Sequence, residues 1–204
     1  VKGLTAEYLL RRTFRLESGH TVVVHAAAGG VGLVLVQWAR AIGAKVIGVV
    51  SSEEKAAIAL AAGAQHVLTT KGSSAPLGKR VRELAPSGVD VVYDSVGKDT
   101  FLESLDMLRA RGMCVLFGQA SGPVAPISPG LLAQKGSLFL TRPALHDYVH
   151  DVGEYKAAAD VLFDALKRGA VKPRVHASVP LAEVGRAHEL LESRTTMGAL
   201  VLVP

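Results

Sequence analysis

Between Ala27 and Gly32 the chain reads AAGGVG, directly behind the apolar run TVVVHA (21–26) and ahead of VGLVLVQWARAIG (31–43). The spacing is that of G-x-G-x-x-G with alanine at the first position. Such a turn suits phosphate chemistry. It must be tight, Gly29 lets an oxyanion approach the backbone, and Gly32 lets the following helix close on the strand. A helix starting at Gly30 or Val31 then turns its unpaired amides towards phosphate oxygens. Ala28, Gly29, Gly30, Val31 and Gly32 are therefore candidate contacts for the pyrophosphate of a dinucleotide.

A second stretch, GVVSSEEK (48–55), bears on which dinucleotide. An NAD site usually carries an acid at the end of the second strand, about 20 residues past the glycine turn, to hold the ribose 2′-hydroxyl. Val50 stands there instead, which removes that acid's repulsion of a 2′-phosphate, although Glu53 and Glu54 would repel one if they pointed at it. Ser51 and Ser52 offer hydroxyl donors, and Lys55 offers a cation one helical turn later. Ser51-x-x-Glu54 is also a capping box. The two roles are compatible if Glu53 and Glu54 face solvent and Lys55 faces inward. The reading favours NADP(H).

These residues need a framework, and the hydrophobic pattern supplies one. Strands are expected at 21–26, 45–50, 66–70, 89–97 with its loop, 112–118 and 137–143. Helices are expected at 31–43, 53–62, 77–84, 100–109 and 152–168. Continuous apolar strands alternating with helices predict a six-stranded parallel sheet covered on both faces, a doubly wound α/β Rossmann fold. From about 174 onwards the pattern gives a strand-like piece, a helix and a closing strand, ALVLVP. The Gly- and Pro-rich loop 119–130 is the expected mobile segment.

Composition bounds the rest. At 204 residues, 49% hydrophobic and 20% charged, the chain is globular, and it has ten aromatic residues. The net charge of +5 favours anionic ligands. The nearest thing to a basic stripe, Arg11, Arg12 and Arg15, reads as a solvated helix face and argues against a nucleic-acid partner. The single cysteine, Cys114, excludes an internal disulfide and suits a reducing, cytoplasmic compartment; within GMCVLFG it reads as a buried, inert thiol. Thr21–Ala39 carries no formal charge, but its glycines and its change of period argue against a membrane span.

With these residues assembled, the chain resembles the NADPH-dependent quinone oxidoreductases, the zeta-crystallin-like branch of the medium-chain dehydrogenase/reductase superfamily. The resemblance runs nearly end to end, through KGLTAEYLLRRTF, HAAAGGVGLVLVQWARAIGAKVIG, VVYDSVGKDTF, LFGQASG, QKGSLFLTRP and RAHELLESRTTMG. It implies that the alanine-led turn carries the pyrophosphate and that Ser51 and Lys55 bind the 2′-phosphate. It further implies that Ser95, Phe117, Gly118 and Gln119 lie beside the nicotinamide half, and that Thr5 and Arg194 close over the cofactor. Thr70 stands where the family often stacks an aromatic ring on adenine, and Gln119 where asparagine is common.

The resemblance also implies an amino-terminal domain forming the other wall of the active-site cleft, to which nothing in these residues corresponds. The chain opens within a helical pattern and reads as a piece of a longer protein. Residues 1–16 and about 174–204 would contact that other domain. Alone, the chain is expected to bind cofactor and catalyse poorly.

The implied reaction is hydride transfer from NADPH to a quinone or similar conjugated carbonyl, without metal and with no acid or base assigned among these residues. Tyr93 and Asp94 are equally explained by burial or loop structure. His146 and His150 form H-x-x-x-H beside Asp147 and Asp151, a pattern better read as a solvated loop or helix start than as a metal site. His25 is expected to make a structural hydrogen bond, and His188 to lie on a surface helix. The sixth strand would form a sheet edge, and the family implies a homodimer there. Two alternatives stand: an enone or enoyl-thioester reductase, and a non-catalytic NADPH-binding protein with a structural or RNA-binding role.

Overall fold

The computed structural model describes residues 1–71, 74–193 and 195–204. Its centre is a parallel sheet of β1 (Thr21–His25), β2 (Lys45–Val50), β3 (His66–Thr69), β4 (Val89–Asp94), β5 (Leu108–Leu116) and β6 (Phe139–Thr141), in the spatial order 3-2-1-4-5-6. Helices α2 (Gly30–Ile42), α3 (Glu53–Ala62), α4 (Leu77–Leu84) and α5 (Phe101–Met107) make the crossovers. The expected Rossmann fold is present.

Burial explains why the strands are uniformly apolar. Val22 and Val24 turn to one face, against Leu35, Val36 and Trp38 of α2. Val23 turns to the other, with Val81, Phe101 and Leu105. All three valines are fully buried, and each contributes about 1.5–3 kcal/mol relative to an exposed side chain. The helix α2 ends at Gly43, whose left-handed φ of 97° closes the C-cap at little steric cost.

The chain's first helix, α1 (Lys2–Tyr8), widens into a π turn over Leu9–Thr13 and packs on α2 and on α8 (Val152–Lys167). The buried Tyr93 hydroxyl donates to the Leu9 carbonyl at 3.3 Å. Tyr93 is thereby explained as a core tyrosine that satisfies a widened helix, and burial pushes its phenol well above the usual range. Beyond α8, β7 (Val175–Pro180) and β8 (Ala199–Val203) pair parallel as a separate sheet, with α9 (Val184–Glu192) between them. The segment before β8 returns to the glycine turn, where Gly198 bridges Gly29.

Several boundaries differ from the pattern. The fifth strand starts at Leu108 rather than 112, because Leu108 pairs with Val89 before a register shift resumes the ladder at Val91 and Met113. The Arg109–Asp90 ion pair (2.7 Å) sits within that irregularity. β6 shrinks to three residues at the sheet edge. Two short helices, α6 (Gly130–Gln134) and α7 (Leu145–Tyr148), were not visible as periodicity, being little more than one turn each. Residues 21–39 divide into β1 and most of α2, and among the described residues no helix is long and apolar enough to cross a membrane.

Candidate functional site

The strand order reverses between β1 and β4, and above their carboxyl ends lies a crevice of about 800 Å³. Dinucleotides bind at such a switch point in doubly wound sheets. The glycine turn forms its floor. Ala26 adopts a left-handed φ of 50°, a rare conformation for alanine. Its carbonyl accepts from the Gly29 amide at 2.8 Å, and Ala27 N donates to Val49 O at 3.1 Å, tying the turn to β2. The Gly29 amide is thus engaged within the turn. Gly30, Val31 and Gly32 occupy the first turn of α2, where amides have no intrahelical acceptor.

Gly32 explains how closely this turn is built. A Cβ there would lie 2.2 Å from the Ala26 carbonyl oxygen and 2.9 Å from Ala27 Cα. At Gly30 the neighbour is a side chain: a Cβ would meet Lys2 Cδ and Cε at 2.8 Å and Nζ at 3.0 Å. The Lys2 ammonium therefore lies over the positive end of α2, where a cation is disfavoured unless an anion shares the space. Sequence reading passed over Lys2, since nothing in KGLTAEYLL announces which helix it will cross.

At the end of β2 the structure separates the two serines. Ser52, not Ser51, is the N-cap of α3, accepting from Lys55 N at 3.4 Å. The N-cap is therefore one residue later than Ser51. Its N3 position is Lys55 and not Glu54, so the expected capping box does not form, and Ser52 does not line the crevice. Ser51 does, with its Oγ 3.2 Å from Lys55 Nζ. Glu53 and Glu54 are exposed, as that arrangement requires. Thr70 and Arg80 line the same end.

Ser95 and the segment Phe117–Gln119 are brought side by side at the ends of β4 and β5. Phe117 N donates to Asp94 O (2.8 Å), Ala120 N donates to Ser95 O (3.1 Å), and a Cβ on Gly118 would lie 2.6 Å from Ser95 O. Thr5 is buried on α1, one turn beyond Lys2, and does not line the crevice. Arg194 lies outside the described residues.

Under the crevice runs a buried polar chain. Ser104 Oγ donates to Asp94 Oδ2 (2.8 Å), so it accepts from His25 Nε2 (2.9 Å). His25 is then the Nε2–H tautomer, and its Nδ1 is a buried acceptor without a protein partner. Burial holds the imidazole pKa below its ordinary 6.5, against the upward pull of Asp94 and Glu103. The unfolded chain therefore takes up a proton below pH 6.5 that the folded chain refuses. Stability is fully present above that pH and falls by about 1.4 kcal/mol per unit below it, until folded His25 itself titrates. Denaturant midpoints at pH 7.5, 6.5 and 5.5 should show this loss in wild type and less of it in His25→Asn.

The chain matches, over residues 30–148, the family described as zinc-binding dehydrogenase. It is 48% identical to a quinone oxidoreductase of Pseudomonas aeruginosa and 47% identical to a 2-haloacrylate reductase of a Burkholderia species; in each case all of this chain is covered. It spans 62% and 61% of those relatives. Among solved structures, a mycobacterial protein complexed with NADPH superposes with a TM-score of 0.96 at 47% identity. The Escherichia coli quinone oxidoreductase complexed with NADPH superposes at 0.94 and 46%. Both comparisons cover all of this chain, and 62% and 63% of the other.

Zinc, which the family's description names, does not fit the donors described here. Cys114 is buried among apolar side chains, and burial pushes its thiol well above the usual range. His150, Asp151 and Glu154 bring ligand atoms within 4.8 Å of one another, yet they form a helix start: Asp151 caps α8 through Glu154 N (2.8 Å), and His150 Nδ1 meets Glu154 Oε2 (2.9 Å). His146 belongs to α7, which ends before them, so H-x-x-x-H lies on no single helix. Glycine turn, strand order and sequence thus converge: this chain belongs to the zinc-binding dehydrogenase family, within the quinone oxidoreductase branch of the medium-chain dehydrogenase/reductases.

Proposed function

We propose that this chain is the NADP(H)-binding part of an NADPH-dependent quinone oxidoreductase. The carrying observation is the end of β2, where Val50 replaces the acid and Ser51 and Lys55 face the crevice together. That pair suits a 2′-phosphate and leaves a 2′-hydroxyl without its usual carboxylate acceptor. The first turn of α2, with Lys2 above it, suits the pyrophosphate. Ser95 and Phe117–Gln119 would flank the nicotinamide, and Arg194 would close over the cofactor from outside; Thr5, buried on α1, would act only through the packing of that helix.

When bound, the cofactor supplies a hydride. With a proton from solvent or protein, the balanced reaction takes NADPH, H⁺ and quinone to NADP⁺ and hydroquinone. This chain's residues bind and orient; none is assigned as acid or base. A second acceptor class, the activated double bond of a haloacrylate, is favoured by the 47% identity to a 2-haloacrylate reductase. The same reading includes a homodimer through the exposed edge strand β6.

The test is a parallel titration of this chain with NADPH and NADH, followed by nicotinamide fluorescence. NADPH should bind more tightly. Lys55→Ala should cost about tenfold to a hundredfold in NADPH affinity, the worth of a charge-assisted bond, with NADH unchanged. Equal affinities in wild type would overturn the cofactor assignment.

A further inference from the structure

We infer that Arg80 is a second cation of the 2′-phosphate site, opposite Lys55, and that it sets the preference for NADPH over NADH. The inference rests on the proposed cofactor site and names a residue that neither motif nor spacing assigned.

Arg80 lies on α4, yet its side chain reaches the sheet. Its Nη1 donates to the Thr69 carbonyl at 2.6 Å, at the last residue of β3. Thr69 pairs with Val50 of β2, and Ser51 follows Val50. The guanidinium is thus fixed one strand away from the Ser51–Lys55 pair, and Arg80 lines the same crevice. Anchoring one nitrogen lowers the ordering cost of binding with the others, because the group is rigid and planar with five donors.

Charge points the same way. Among the described residues Lys55 and Arg80 are the cationic side chains lining the crevice, and both lie at the β2–β3 end. Two carboxylates also line it, and neither forms an ion pair with Arg80. Glu103 Oε2 accepts from the Gly78 amide at the start of α4 (3.0 Å). Asp99 belongs to the β4–α5 connection, where its amide is held by Ser121 Oγ (3.0 Å). Among the described residues the half-buried guanidinium bonds only to the Thr69 carbonyl, so no carboxylate compensates its charge. A 2′-phosphate, at nearly two negative charges, matches the two cations and the Ser51 hydroxyl. Among the described residues no aromatic ring lines this end, so stacking of Arg80 on adenine is the competing role.

The experiment measures NADPH and NADH dissociation constants for wild type, Arg80→Lys, Arg80→Gln and Arg80→Ala, with circular dichroism and melting to confirm folding. All three variants alter the Thr69 bond, so a purely structural effect weakens both cofactors alike. The expected result is a loss of about tenfold to a hundredfold for NADPH in Arg80→Gln and Arg80→Ala, with NADH unchanged. Arg80→Lys should keep part of the preference. Equal losses for both cofactors would assign Arg80 to adenine or to the fold and overturn the inference, as would no loss for either. A wild type without preference for NADPH fails the cofactor assignment itself, a different outcome from a preference that survives Arg80→Gln.

Discussion

Gly32→Ala should be the most damaging single methyl group in the glycine turn. The new Cβ would sit 2.2 Å from Ala26 O, 2.9 Å from Ala27 Cα and 3.0 Å from Ala26 C. These are backbone atoms of a turn held by the Gly29–Ala26 and Ala27–Val49 hydrogen bonds, so no side chain can swing aside. Either α2 withdraws from β1 or the turn unwinds. Overpacking of this kind costs about 2 kcal/mol, a fall of about 4–8 °C in melting temperature for a chain of this size. The binding loss should be greater, because the withdrawn helix takes the amides of Gly30, Val31 and Gly32 with it.

Two neighbours serve as controls. At Gly29 the corresponding Cβ meets Ala26 O at 3.1 Å with φ at −77°, a conformation alanine adopts freely. At Gly30 it displaces only the flexible end of Lys2. Gly29→Ala and Gly30→Ala should therefore melt within about 3 °C of wild type, and Gly30→Ala should still weaken NADPH by pushing the ammonium off the helix end. Differential scanning fluorimetry beside a fluorescence titration distinguishes the three. Equal melting of Gly32→Ala and Gly30→Ala would remove the packing argument.

The sheet was legible in the sequence because a strand covered on both faces must be apolar throughout, and VVV, VIGVV and VVY report that without help from distant residues. The glycine turn was legible because Gly32 answers a contact with Ala26, six residues away. The serine pair was harder. Ser51 and Ser52 each carry a hydroxyl one residue apart, and which one caps α3 depends on where the β2 ladder releases the chain. Thr70 N still bonds to Val50 O (2.8 Å), which keeps β2 extended and defers the cap to Ser52.

Arg80 and Lys2 were not legible at all. One comes to the site because β3 pairs beside β2, the other because α1 crosses α2. Both depend on tertiary placement, to which local spacing is blind. The short β6 and the early start of β5 have the same origin, since pairing with Val89 and the Arg109–Asp90 contact, rather than propensity, decides where that ladder begins.

Asp94→Ala should lower stability by roughly 4 kcal/mol. The carboxylate is fully buried at the end of β4. Its Oδ1 accepts from Val96 N (2.8 Å) and Gly97 N (3.0 Å), and Oδ2 from Ser104 Oγ (2.8 Å). Thr100 Oγ1 lies 2.9 and 2.8 Å from the two oxygens. Alanine strands the two amides and removes the acceptor of Ser104 Oγ, while Thr100 Oγ1 keeps only its longer bond to Gly97 O (3.3 Å); a buried donor without an acceptor loses its whole solvation. Asp94→Asn is the sharper probe. Its carbonyl can still serve the two amides, but its NH₂ faces the Ser104 and Thr100 hydroxyls, and the Ser104 hydrogen loses its acceptor. The expected cost is about 2 kcal/mol, and the effect of Ser104→Ala should be smaller in the Asn background than in wild type. Val96 and Thr100, both held by Asp94, line the crevice, so NADPH affinity should fall with stability in both variants. Urea denaturation of the four-member cycle supplies the coupling. Strict additivity of Asp94→Asn and Ser104→Ala would show that the chain from His25 through Ser104 to Asp94 is three separate bonds and not one network.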